Sequence, residues 1–228
     1  MGPIRGRRAL ACLAVIACAL GQACPLWADD TEYRDYVIFV DGKEAGQSRI
    51  SMVEKTYGTT DVVATAKVRV KLVGLFTAFS YEVESRESWK AGKLVSLKSV
   101  ATEDGKTTRV EVSRSGEQLR VQINGTGGNN LRSDIWPSSY WKLADKQFHN
   151  KQVPILDSDT GNELIGQLEY VSLEKLKVGT RHDDCYHFRV TGIPVPIDLW
   201  FDQYHRLVRQ EFTESGHRTI VQLIVIRR

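Results

Sequence analysis

The densest cluster of side chains that could bind a metal lies between His182 and His187. Its potential ligands are His182, Asp184, Cys185 and His187. On a β-strand Cys185 and His187 point to the same face, so they could supply two zinc ligands, with an acidic residue as the third. Known zinc motifs contain a second ligand pair such as Cys-x-x-Cys, which this chain lacks. The alternative interpretation is that Cys185 is a small apolar residue of a core strand.

The tripeptide Asp159-Thr160-Gly161 matches the one that carries the catalytic carboxylate of aspartic proteases. In those enzymes two apolar residues precede the aspartate, whereas Asp157 and Ser158 precede it here. We therefore interpret this stretch as a polar hairpin turn. The chain also contains no Gly-x-Ser-x-Gly elbow, no P-loop and no dinucleotide-type glycine fingerprint.

Four aromatic side chains are candidates for binding an apolar ligand, namely Trp136, Tyr140, Trp141 and Trp200. The first three lie within six residues, in a stretch (136–144) whose pattern predicts a short helix. We expect this helix to pack as a plug against an open sheet face, where it either closes the core or covers a ligand.

The elements that must position these residues are β-strands, because apolar and polar residues alternate through most of the chain. The clearest run places Val62, Ala64, Ala66, Val68, Val70 and Leu72 on one face, with Thr65, Lys67, Arg69 and Lys71 on the other. A period of two over ten residues is typical of a strand with one buried and one solvated face. Turn signals such as Asp41-Gly42 and Asp104-Gly105 recur at hairpin spacing, so neighbouring strands must be antiparallel.

The sequence therefore predicts an all-β fold of about a dozen strands in residues 29–228, as a single antiparallel domain. A sheet of this size must curl to protect its faces, which leaves a barrel, a half-barrel and a sandwich as alternatives, with the short helix as a plug. The polar residues of the outer faces argue against a membrane barrel, whose outer band is apolar.

Residues 1–28 have the pattern of a secretory signal peptide. Arg5, Arg7 and Arg8 precede an apolar run (9–20) that is too short to span a bilayer, and small residues follow. We expect cleavage near Ala28 and a periplasmic or secreted protein. A lipoprotein signal with Cys18 as the lipidated residue is the alternative.

The charge of the chain gives no indication of a nucleic-acid partner. The formal net charge is +3, with 31 Lys and Arg against 28 Asp and Glu, and three of the arginines lie in the leader. Residues 29–228 are therefore balanced in charge, which differs from the basic surfaces of nucleic-acid-binding domains. They also contain one cysteine, Cys185, so they cannot form an internal disulfide.

Two stretches resemble an uncharacterised family of secreted bacterial β-domains, domain-of-unknown-function family 6134. One is the early strand 36–46, with Phe39-Val40-Asp41-Gly42 and a later glycine. The other is the hairpin that pairs Leu199-Trp200-Phe201-Asp202 with Arg206-Leu207-Val208-Arg209. The resemblance extends over nearly the whole of residues 29–228 and implies a fold, but it brings no catalytic residues. In general shape the family is similar to periplasmic half-barrels that shelter lipids or lipoproteins, which is an analogy of fold alone.

We therefore expect an exported, non-catalytic domain that binds a lipid-like ligand or docks another envelope component, without a cofactor. The alternative is a metal-dependent or other hydrolase centred on the cluster from His182 to His187.

Overall fold

The structure is a computed structural model that describes residues 30–55, 57–71 and 78–228. The predicted leader (1–28) lies outside the described residues, as does Leu72. The strands are β1 (Asp30–Val40), β2 (Lys43–Lys55), β3 (Thr59–Lys71), β4 (Ala78–Lys90), β5 (Lys93–Glu103), β6 (Lys106–Ser115), β7 (Gln118–Ile123), β8 (Thr126–Arg132), β9 (Trp136–Pro137), β10 (Lys151–Leu156), β11 (Glu163–Val178), β12 (Arg181–Thr191), β13 (Ile197–Phe201), β14 (Leu207–Glu214) and β15 (His217–Arg227).

All fifteen strands join one sheet in the order β8-β7-β6-β5-β4-β3-β2-β1-β15-β14-β13-β12-β11-β10-β9. From β1 the chain adds antiparallel hairpins outward to β8, crosses to the opposite edge, and returns through β10–β15 until β15 pairs with β1. The pairing of β9 with β10 is parallel. In the described residues strands make up 75% of the structure and the sheet does not close, so the all-β prediction is confirmed as an open, curled sheet.

The tight turns are built as the Asp-Gly signals predict. Asp41 and Gly42 have φ values of 49° and 77°, and Asp104 and Gly105 have values of 46° and 81°. Two successive left-handed residues are typical of type I′ turns, whose twist matches that of the strands they join.

The alternation of side chains is also confirmed, and it defines a concave face that carries most of the core. Val62 on β3 is buried and pairs with Glu87 on β4, which in turn pairs with the buried Leu97 on β5. Residues that pair directly across strands share a face, so the inner surface also receives polar side chains such as Glu87.

The short helix predicted over residues 136–144 is wrong. This stretch contains the two-residue strand β9 followed by turns, and the described residues contain one helix, a 3₁₀ turn at Lys146–Phe148. Tyr140 has a φ of 46°, which is incompatible with an α-helix. The stretch 125–130, whose glycine and asparagine content is typical of a loop, instead forms most of β8, which pairs with β7 across a turn at Asn124 and Gly125.

The crossing segment (residues 133–150) takes the place of the predicted plug. It runs from one edge of the sheet to the other, and its side chains Trp136, Trp141, Leu143 and Phe148 are buried in the larger core cluster. Leu143 N donates to His205 O at 3.1 Å, and Trp141 Nε1 donates to Glu87 at 3.1 Å. The segment therefore contacts both the β13–β14 turn and β4. Within the described ranges there is no helix long and apolar enough to cross a membrane.

Candidate functional site

The four predicted metal ligands lie on both faces of β12. Cys185 and His187 share one face and are buried, whereas His182 and Asp184 lie on the other face and are exposed. In the part of the chain that the structure describes, no group of three or more His, Cys, Asp or Glu side chains is arranged to hold a metal ion.

His187 is bonded through both of its ring nitrogens. Nδ1 lies 3.0 Å from Glu174 Oε1 and Nε2 lies 2.7 Å from Asp198 Oδ1. The imidazole also stacks on Trp200, with ring centroids 4.2 Å apart, and Trp200 Nε1 donates to Glu174 Oε2 at 3.0 Å. A general base needs a nitrogen facing a nucleophile or substrate. Since both nitrogens face carboxylates, His187 is placed to hold β11, β12 and β13 together.

The neighbouring serine does not complete a catalytic triad. Ser172 Oγ donates to Glu174 Oε1 at 2.6 Å, so its hydroxyl is bonded to the carboxylate rather than to the imidazole. This hydrogen bond is the largest influence that lowers the pKa of Glu174, and the bonds from Trp200 and His187 lower it further.

Cys185 is fully buried within the larger core cluster, and burial raises the pKa of its thiol to about 12. The nearby carboxylates of Asp202 and Asp183 raise the pKa in the same direction. The thiolate is the form that binds metals and attacks substrates, and this environment opposes its formation.

The four aromatic candidates are all buried, with between 5% and 9% of each residue exposed. Trp136 and Tyr140 meet edge to face at 4.7 Å, and Trp141 meets Trp89 in the same way at 5.6 Å. Trp200 points away from this group, because it alternates on β13 with Phe201, which faces Trp136. All four belong to the larger core cluster, but the ring contacts join only Trp136 and Tyr140 directly.

An apolar cleft lies beside the crossing segment. Its volume is about 310 Å³, and it is lined by Leu143, His149, Asn150, Tyr170, Tyr186, Phe188 and His205. Tyr170 and Tyr186 keep 44% and 37% of their surface exposed, although aromatic rings of this size are usually buried.

Hydrogen bonds and ring contacts hold the walls of the apolar cleft in place. Phe188 forms its floor and contacts Tyr170 at 5.6 Å and His149 at 4.9 Å between ring centroids. The Tyr170 main-chain N–H donates to Asn150 Oδ1 at 2.8 Å, and His149 Nε2 lies 3.1 Å from Ala144 O. The cleft is therefore a formed feature of the packed molecule.

A second, polar cleft adjoins the first, and Tyr186 lines both. Its volume is about 370 Å³, and it is lined by Leu173, Lys175, Arg181, His182, Asp183, Asp184, Tyr186, Asp202, Gln203 and Tyr204. Two of the predicted metal ligands, His182 and Asp184, thus belong to this cleft. The β13–β14 turn lies between the clefts, since His205 lines one and Tyr204 the other.

A buried ionic network between residues far apart in sequence, for which no sequence motif exists, fixes that turn. Arg206 Nε donates to Asp202 Oδ2 at 2.7 Å, and Asp202 Oδ1 also accepts from the main-chain N–H groups of Tyr204 and Arg206. Arg206 continues to Glu32 at 3.4 Å, and Glu32 accepts from Arg34 at 2.7 Å. Burial opposes ionisation of Glu32, yet the bonds from Arg34 and Arg228 hold its pKa below the usual value.

A known family model, described as "Domain of unknown function (DUF6134)", matches residues 36–224 of the chain. This match covers most of the chain. The chain belongs to the DUF6134 family. The family resemblance of the early strand and the closing hairpin is therefore confirmed, and both stretches lie within the matched range.

Among solved structures, this DUF6134 chain is similar to the crystal structure of a β-barrel-like protein of domain of unknown function DUF1849 from Brucella abortus. The TM-score is 0.61 at 8% sequence identity, over 86% of this chain and 97% of the other. At this identity the likeness concerns the fold alone. No curated protein matches the chain.

The partners of His187 in this DUF6134 chain could not be found by motif, because Glu174 and Asp198 are 13 and 11 residues away in sequence. A sequence signal did exist for Asp198. It alternates with the apolar Ile197 and Leu199 in a short strand, which places an acid on the opposite face from the core.

Proposed function

We propose that this protein is a non-catalytic binding protein that holds a hydrophobic ligand in the apolar cleft. The observation that carries the proposal is the pair of half-exposed tyrosines, Tyr170 and Tyr186, at the mouth of a formed cleft over the buried Phe188. Ligand sites are typically concave, mostly apolar, and supplied with a few polar groups, and volumes from about 300 Å³ upward are usual. His149, Asn150 and His205 supply the polar groups here.

The size of the cleft suits a single short acyl chain rather than a bulky ligand. Each methylene that leaves water on binding contributes about 0.8 kcal/mol, so a chain of several carbons is held without any specific polar contact. The tyrosine and phenylalanine rings offer such a chain wide apolar surfaces at little entropic cost, because each ring has two side-chain torsions.

The hydrolase alternative receives less support from the same residues. His187 has both nitrogens on carboxylates, and Cys185 is buried with a raised pKa. His182 and Asp184 lie on the opposite face of β12. These arrangements favour a structural role for His187 and Cys185.

Binding of an uncharged single-chain amphiphile tests the proposal. Dodecyl maltoside is titrated below its micelle concentration into the protein beginning at Asp29, and binding is followed by calorimetry. We expect saturable binding at one site, and a loss of affinity of about tenfold in Tyr170→Ser, in the range of a moderate hot-spot residue.

The matched control is Tyr33→Ser, which removes an equally exposed tyrosine (41%) from β1. This variant should bind the probe as the unmodified protein does. Absence of saturable binding, or an equal loss in both variants, would refute the proposed function.

We also propose that the protein is exported. The support is the leader in residues 1–28, which is rich in arginine at its start and then apolar. N-terminal sequencing of protein from its own host should give a start near Asp29. A start at an acylated Cys18 would replace the soluble form with a lipoprotein, and a retained Met1 would contradict export.

A further inference from the structure

We propose that the polar cleft binds a zwitterionic headgroup, one that carries both an ammonium and a phosphate, so that the ligand of the two clefts is a zwitterionic amphiphile. This inference rests on the proposed function, because it assigns the headgroup of the molecule whose chain enters the apolar cleft. The starting observation is that the clefts adjoin at Tyr186, which lines both.

The polar cleft presents one cation and one anion side by side. Lys175 on β11 and Asp184 on β12 are directly paired across the strands, so both side chains lie on the same face, about 5 Å apart at Cβ. Both are exposed, and within the described ranges neither forms an ion pair or a side-chain hydrogen bond. Their charges are therefore available to a ligand, and a ligand that carries an anion and a cation close together can reach both of them.

The other carboxylates of this cleft and its arginine are already engaged. Arg181 pairs with Asp183 at 2.9 Å, and Asp202 is bonded to Arg206 and to main-chain N–H groups. A ligand with a single charge would meet either Lys175 or Asp184 and leave the other charge beside an ion of the same sign. A ligand with both charges satisfies both residues.

Aromatic rings beside Asp184 favour the ammonium end. Tyr186 and Tyr204 line the cleft, and Tyr204 is 64% exposed. The guanidinium of Arg206 lies over the Tyr204 ring, 4.8 Å from its centroid, which positions that ring. Quaternary ammonium groups bind to tyrosine faces through cation–π attraction. The phosphate of the ligand then binds to Lys175, whose ammonium group is a compact point charge.

Exposed apolar side chains lie around Lys175 and Asp184 in the polar cleft. Leu173 pairs with Tyr186 across the strands and is 53% exposed. Leu173, Tyr186 and Tyr204 together form an apolar margin around the charged pair, so that a bound amphiphile would cover surface that is otherwise in contact with water.

The test compares dodecyl probes that differ only in their headgroup. Dodecylphosphocholine, dodecyl maltoside, dodecanoate and dodecyltrimethylammonium are titrated below their micelle concentrations. Because the exposed charges and the cation–π contact each contribute modestly, we expect dodecylphosphocholine to bind about tenfold more tightly than the other three. In the double variant Lys175→Gln, Asp184→Asn this preference should fall to about twofold or less, while binding of dodecyl maltoside stays unchanged.

The control is the double variant Lys98→Gln, Glu111→Gln, which removes another exposed cross-strand pair of the same charge types, on β5 and β6. It should keep the preference. Equal binding of all four probes, or a preference that persists without Lys175 and Asp184, would overturn the headgroup assignment and leave the apolar cleft in place. Absence of binding by every probe would overturn the proposed function as well.

Intact phosphatidylcholine vesicles distinguish a single bound molecule from a membrane surface. We expect the monomeric probe to bind and the protein to stay in solution when the vesicles are sedimented. Sedimentation with vesicles, without binding of the monomer, would overturn the assignment of the clefts to one amphiphile.

Discussion

Arg34 on the first strand donates a hydrogen bond from Nη1 to the main-chain carbonyl of Trp141, at 2.6 Å, across 107 residues of sequence. The same guanidinium donates from Nε to Glu32 at 2.7 Å, and only 2% of Arg34 is exposed. The crossing segment is thus attached to β1 by a buried cation. Since a short turn-rich segment has few main-chain bonds of its own, this contact is a major determinant of its position.

Replacement of this arginine should destabilise the fold strongly. In Arg34→Met the carbonyl of Trp141 loses the arginine as its donor, and the buried carboxylate of Glu32 keeps Arg206 and Arg228 but loses one of its three arginine partners. Breaking a buried pair costs about 3–5 kcal/mol. Urea unfolding of both proteins measures the difference. The control is Arg49→Met, whose bond to Asp35 is exposed and should be worth less than about 1 kcal/mol. Comparable losses in the two variants would contradict the structural role of Arg34.

Asp159 should make stability fall as the pH rises. Burial raises its pKa to about 6 from 3.8, although the bond from Tyr81 at 2.5 Å lowers it. The folded state therefore holds this proton more tightly than the unfolded state. The contribution of this proton to the free energy of unfolding is fully present below about pH 4. It is lost as the pH rises through about 6, and the loss amounts to up to about 3 kcal/mol.

Other carboxyl groups titrate in the same range, so the measurement is the difference between the unmodified protein and Asp159→Asn, from pH 4 to pH 7.5. The variant should gain relative stability across this window. Tyr81→Phe removes the bond that lowers the pKa of Asp159 and should shift the window upward. If the difference in stability between the two proteins did not change with pH, the raised pKa of Asp159 would be refuted.

Cys185 should resist alkylation in the folded protein. Burial raises its thiol pKa from 9.0 to about 12, which reduces the reactive thiolate at pH 8 by about two to three orders of magnitude, in addition to the loss of access. Mass spectrometry after iodoacetamide treatment, with and without urea, gives the two rates for the protein beginning at Asp29. Fast modification of the folded protein would favour the catalytic or metal-binding interpretation of this cysteine.

A substitution in the turn between β4 and β5 should make the folded protein more stable. Ala91 has a φ of 49° ahead of Gly92 at 75°, and alanine tolerates the left-handed region poorly. Ala91→Asn should raise the free energy of unfolding by about 0.5–1 kcal/mol, because asparagine favours this position in type I′ turns. Gly92→Ala, which introduces a side chain at a positive φ, should lower it by a comparable or larger amount. Thermal unfolding of both variants is the measurement, and equal midpoints would argue against the left-handed geometry.

The strands and their turns could be predicted from the sequence alone because both depend on local physics. Alternation with a period of two identifies which side chains of β3 share a face, and a left-handed pair such as Asp41-Gly42 specifies a tight hairpin. These features do not depend on which strands lie at the edges. For that reason the all-β class, the antiparallel order and the buried face of Val62 all agreed with the structure.

The crossing segment and the clefts were decided by tertiary contacts. Local propensity predicts a helix over residues 136–144, but Trp136 Nε1 bonds to Lys142 O, and Trp141 bonds to Glu87, which hold an irregular backbone instead. The energy of these contacts exceeds the small helix preference of so short a stretch. The buried ionic network could not be predicted from the sequence for a similar reason, since Glu32 and Arg206 lie 174 residues apart. The strand order brings such residues together, because β15 alone separates β1 from β14. The same order makes β11 and β12 neighbours and so brings Tyr170 and Tyr186 to one cleft.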